Sequence, residues 1–130
     1  MGKIYEDIEI EGKMVRVKVD TASDFPLALT KETIERLNLP LSPRKAITFR
    51  EEEGKRREYR EDVWLARIKI GNCEFAVPQV VVVASGENLL GHPILQTLGA
   101  KIDEKKERMV FDMEKCPRGE TGELMGRIID

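Results

Sequence analysis

At 130 residues with 41% hydrophobic content, the chain can bury one sizeable core without disulfide staples, and it is too short for two full lobes. Its 22 basic and 24 acidic residues nearly cancel, so no field of one sign recruits nucleic acid or an anionic membrane, and the charge reads as a solvated surface. Two cysteines far apart and a single histidine leave no credible zinc set, and nothing in the composition calls for a metal or a cofactor.

Cys73 and Cys116 form no Cys-x-x-Cys pair and are expected to be reduced thiols. The first residues alternate charge and apolarity from Ile4 onward and lack the apolar core of a signal peptide. No later stretch reaches the roughly 18 apolar residues of a membrane span. The expectation is a soluble, cytoplasmic protein.

Ile8 and Ile10, then Val15, Val17 and Val19, keep period-two spacing around Glu11-Gly12-Lys13, which predicts a β-hairpin whose second strand ends on Asp20. Small residues then turn a corner, and the apolar run resumes at Pro26-Leu27. Thr30 is placed to cap a short helix through Leu37, with Glu32 in its first turn and Asn38 as a left-handed stop. Leu41 to Lys45, with Pro43, reads as a connecting loop. Ile47 to Arg50 and Arg57 to Arg60 read as a long, exposed, charged hairpin about Glu53-Gly54-Lys55.

Trp64, Ala66, Ile68 and Ile70 alternate up to Gly71-Asn72, a tight-turn signal, and Cys73, Phe75 and Val77 alternate beyond it. Pro78 interrupts. Val80 to Ala84 is an unbroken apolar run expected to form a strand buried on both faces. After a loop at Ser85 to Asn88 come Leu89-Leu90-Gly91, then His92-Pro93 as cap and first residue of a short helix stopped by Gly99. Ala100 to Asp103 and Met109 to Phe111 close a last hairpin. Residues 1–111 are thus one domain, and 112–130 a tail expected to be irregular or to join a dimer, with Leu124 to Ile129 able to add a strand. Many short strands with two small helices give a mostly-β barrel.

Asp20-Thr21-Ala22-Ser23 resembles the Asp-Thr/Ser-Gly-Ala/Ser signature of retropepsin-like aspartic proteases. Val80 to Val83 with Leu89-Leu90-Gly91 and the helix after it resemble the second mark of that family. The Ile47 to Arg60 hairpin is similarly placed to the family's flap, so the resemblance spans roughly Ile8 to Phe111, closest to small single-domain archaeal and bacterial members. It implies a closed acid-protease barrel. It also implies catalysis by Asp20, active-site support from Thr21, Ala22, Leu89, Leu90 and Gly91, and substrate contact by Ser23, Asp24 and Gly54.

Peptide hydrolysis needs a base for the water and an acid for the carbonyl oxygen and leaving nitrogen, and aspartic proteases draw both from two carboxyls sharing one proton. One Asp-Thr-x-Ser corner per chain therefore implies a homodimer acting on a peptide or protein substrate. Two features depart from the family. Ala22 stands where the signature has Gly, adding a methyl, and the flap holds Gly54 alone amid Arg and Glu. Both argue for the alternative of a catalytically silent module of the same fold used for dimerisation or peptide binding. A third reading is an unrelated β-barrel interaction protein, favoured if Asp20 lies far from any twofold axis; taken alone, Asp20 reads as an ordinary turn residue.

Overall fold

The computed structural model describes residues 3–83, 86–117, 119–121 and 124–128. β1 (Tyr5–Ile10) and β2 (Lys13–Asp20) form the opening hairpin, with Glu11 and Gly12 at φ 50 and 78 in the positive-φ turn that suits the twist of paired strands. Ile8, Ile10, Val15 and Val17 point to one side and are buried. β3 (Leu27–Thr30) leads into α1 (Lys31–Leu37). There the Thr30 hydroxyl accepts the Thr33 N–H at 3.2 Å, and Asn38 ends the helix at φ 52.

β4 (Leu41–Glu52) and β5 (Lys55–Ile70) make a long arm and then enter the body, and β6 (Cys73–Val83) returns along β5 after the Gly71-Asn72 turn. β7 (Leu89–Gly91) precedes α2 (His92–Thr97). β8 (Lys101–Asp103) and β9 (Arg108–Val110) pair with each other as a separate two-stranded sheet. After a single 3-10 turn at Met113–Lys115, β10 (Gly119–Thr121) and β11 (Leu124–Ile128) form a hairpin lying against Cys73 to Ala76 of β6.

The large sheet runs β10-β11-β6-β3-β7-β2-β1-β5-β4, and the further pairing of β5 with β6 closes a ring through β6, β3, β7, β2, β1 and β5. Inside it Phe75, Ile8, Ile10, Leu27, Ile68, Leu90 and Leu98 are fully buried. This is the expected mostly-β architecture, a closed ring of strands with two short helices.

Four local expectations are corrected. Leu41 to Lys45 is strand, because β4 lies at the sheet edge and a register shift between Leu41 and Lys45 accommodates Pro43 without a ladder donor. β6 likewise runs on through Pro78. The valine run is not buried on both faces: Val80 is sealed but Val82 is 49% exposed, as the strand outruns the cover of β5. The cap of α2 is Gly91, with His92 as the first helical residue.

The cysteines form a disulfide, contrary to the expectation of reduced thiols. The 43-residue separation conceals the meeting: the chain returns across the β5–β6 turn, where Met113 packs so closely that a methyl on Gly71 would lie 3.0 Å from its sulfur. Cys116 thereby reaches Cys73 at the start of β6. Closing a loop of this length is worth about 4 kcal/mol in chain entropy. Among the described residues, no helix is long and apolar enough to cross a membrane.

Candidate active site

Asp20 is the last residue of β2, and its position is fixed by pairing rather than by its own contacts. β2 runs parallel to β7 with Lys18 opposite Leu89, Val19 opposite Leu90 and Asp20 opposite Gly91. β7 is in turn antiparallel to β3, with Leu27 opposite Leu90. The strand Leu89-Leu90-Gly91 is thus wedged between the two strands that flank the corner. Leu90 is fully buried, which gives the pair a packing role.

The corner is held by backbone. Ser23 N–H donates to the Asp20 carbonyl at 3.2 Å, Gly91 N–H to the Pro26 carbonyl at 3.0 Å and His92 N–H to the Ser23 carbonyl at 3.0 Å. The Ser23 hydroxyl donates to the Phe25 carbonyl at 3.2 Å. Gly91 is where the two marks of the sequence touch: a Cβ there would stand 1.8 Å from the Phe25 carbonyl oxygen and 3.1 Å from Ser23 Oγ. No side chain fits, and the obstacle is backbone, which cannot swing aside.

The Asp20 carboxylate accepts the Ala22 N–H at 3.0 Å through Oδ1, the turn-type bond expected of Asp at such a corner. Among the described residues this is its one hydrogen bond, so the second oxygen remains available. Asp20 is half-buried, whereas Thr21, Ala22 and Asp24 are exposed. The Ala22 methyl therefore meets solvent in the single chain. Asp20 and Thr21 line a hollow of about 320 Å³ with Ile4, Val19 and Ile102.

Gly54 lies elsewhere, at the tip of the β4–β5 arm. Glu53 and Gly54 have φ 51 and 74, the two positive values of a tight hairpin turn. Among the described residues no hydrogen bond or ion pair links it to the Asp20 corner.

Two groups of residues escaped the sequence. Asn88 ties its loop to two strands, β3 and β2: its Oδ1 accepts the Thr30 N–H at 2.9 Å, its carbonyl the Lys18 N–H at 2.8 Å, and its Nδ2 donates to the Arg16 carbonyl at 3.5 Å. Beside it, Glu87 accepts from the Tyr5 hydroxyl and lies 3.4 Å from Lys18 Nζ. The Tyr5 hydrogen bond, helped by Lys18, holds the Glu87 carboxyl below the usual carboxylate range, and the same bond raises the Tyr5 phenol. An Asn in a Ser-Gly-Glu-Asn loop signals only a turn, and its partners lie 58 to 72 residues away.

Comparison with known proteins bears on the family and the fold. The family described as aspartyl protease matches residues 7–112. Among solved structures, the chain is similar to EIAV protease complexed with the inhibitor HBY-793, at 24% identity and TM-score 0.56, over 78% of this chain and 92% of that one. It is similar to a retropepsin-like aspartic protease from Rickettsia conorii, at 25% identity and TM-score 0.53, over 79% of this chain and 76% of that one. The retroviral protease-like domain of Ddi1 from Leishmania major shares the fold at 16% identity and TM-score 0.50, over 86% of each chain. No curated protein matches the sequence.

Proposed function

The chain belongs to the aspartyl protease family, with a retropepsin-like fold, and from that premise we propose that it is an endopeptidase whose active site is completed by a second copy. The observation that carries this reading is the register of Asp20 against Gly91, which sets a half-buried carboxylate with an unused oxygen at the mouth of a hollow.

Across a twofold axis the two Asp20 carboxyls share one proton, because two charges so close are not both tolerated. The ionised member takes a proton from the attacking water. The protonated member gives its proton to the carbonyl oxygen, and the leaving nitrogen is protonated as the bond breaks. Thr21 holds the corners at fixed separation, Ser23 and Asp24 border the substrate backbone, and the β4–β5 arm with Gly54 at its tip closes over it.

The β8–β9 hairpin is the best-supported contact between copies. Its strands pair only with each other among the described residues, and Ile102, 39% exposed, shares the hollow with Asp20, while Val110, 54% exposed, lies on the hairpin's other face. β11 is a weaker candidate, being enclosed by β10 and β6 of its own chain. A silent module of the same fold is the second reading, favoured by the turn bond from Ala22 to Asp20.

Asp20→Asn separates them. The variant is expected to keep its fold and its sedimentation behaviour as a dimer while peptide cleavage falls by about 10³-fold or more. Cleavage that survives the substitution overturns the mechanism, and a wild-type protein that binds peptides without cutting them supports the silent module.

A further inference from the structure

The β4–β5 arm has two unlike faces. Strand alternation with the register Arg50 opposite Arg57, Thr48 opposite Tyr59 and Ala46 opposite Glu61 sets Thr48, Arg50, Glu52, Arg57, Tyr59 and Glu61 on one face. At the root of that same face Ala46 and Val63 are buried, so it looks inward over the body. The opposite face carries Ile47 and Phe49, both more than half exposed, with the Arg56 guanidinium 4.2 Å above the Phe49 ring.

The inward face is organised around Arg50. Its Nη2 donates to Glu61 Oε1 at 2.9 Å, and its guanidinium lies 4.8 Å above the Tyr59 ring. The Tyr59 hydroxyl donates to Glu52 Oε1 at 2.6 Å, and Arg57 Nε stands 3.8 Å from Glu52 Oε2. Both carboxylates of the face are therefore engaged by the arm itself. A guanidinium has five N–H donors in a planar fork, so Arg50 keeps donors after Glu61 is served, and Lys55 and Arg57 add positive charge on the same face.

We infer that this face selects polypeptide substrates bearing an acidic side chain beside the scissile bond, with Arg50 as the specificity-determining residue and Tyr59 holding the plane of its guanidinium. The inference rests on the reading of the arm as a hairpin that closes over Asp20. A carboxylate offered to Arg50 gains a charge-assisted, two-pronged contact, whereas an amide of the same shape gains much less.

The test uses three peptide sets identical except for Glu, Gln or Lys at the residues flanking one scissile bond. Cleavage is measured with the full chain, and binding with its Asp20→Asn variant by fluorescence anisotropy. Glu peptides are expected to be preferred by about tenfold at low salt, mainly through KM, with the preference shrinking in about 0.5 M salt. Arg50→Glu is expected to transfer the preference to Lys-bearing peptides, and Arg50→Lys to keep part of the original one. Equal handling of Glu and Gln peptides, or a preference indifferent to Arg50→Glu, overturns the assignment. Selective binding without cleavage supports it and counts against the dyad; cleavage without selectivity overturns it and leaves the dyad standing.

Discussion

The Asp20 corner and the β4–β5 arm are both ends of β-strands, yet they are held by different forces. At the corner the bonds run backbone to backbone, through Gly91 to Pro26 and His92 to Ser23, and the packing leaves no room for one methyl. On the arm, side-chain contacts among exposed groups set the surface: Lys45 with Asp62, Arg50 with Glu61 and Arg57 with Glu52. Such pairs are individually worth little and are screened by salt. On the proposed reading, the Asp20 carboxylate needs a fixed position, whereas an arm that admits and releases a substrate needs a modest cost of opening.

The same substitution at the two glycines breaks this comparison most directly. Gly91→Ala drives a methyl into the Phe25 carbonyl and is expected to cost about 3 kcal/mol, read as a lowered midpoint in urea unfolding. Gly54→Ala meets nothing within 4 Å and carries only the strain of φ 74, so about 1 kcal/mol is expected. Equal losses at the two sites would show that the corner relaxes as freely as the arm.

A smaller effect sharpens the contrast through pH. The Glu87 carboxyl beside the corner is depressed, so its share of stability is complete above the ordinary carboxylate range and is lost as pH falls through its lowered value. Thermal melting is therefore expected to decline less on acidification in Glu87→Gln than in the parent. Tyr59 on the arm is raised by its bond to Glu52, so its share is present below the ordinary phenol range and lost as pH rises through its raised value. Tyr59→Phe is expected to flatten the alkaline side. An alkaline limb unchanged in Tyr59→Phe would show that the bond to Glu52 carries no share of the arm's stability.

Much of the fold was legible because it is local. Period-two alternation found the β1–β2 hairpin, Thr30 and Asn38 marked both ends of α1, and Gly71-Asn72 marked the β5–β6 turn. The two marks of the site, Asp20 to Ser23 and Leu89 to Gly91, were also visible as short strings. Their contact was not, since a parallel register between β2 and β7 leaves no trace in the spacing of either. The valine run misled because a continuous apolar stretch says nothing of how far each neighbour extends, and Val82 outruns β5 while still pairing with β3.

The sequence by itself determined the class of the protein, the corner that carries its carboxylate and the charged character of its arm, since those follow from residue type and nearest neighbours. Only the tertiary structure decided that Cys73 meets Cys116, that Gly91 closes on Phe25, that Asn88 bridges β2 and β3 and that Arg50 and Tyr59 share one face of the arm. Each of these joins residues through the packing of strands around one core, and the geometry of that packing is a property of the whole sheet rather than of any window along the chain.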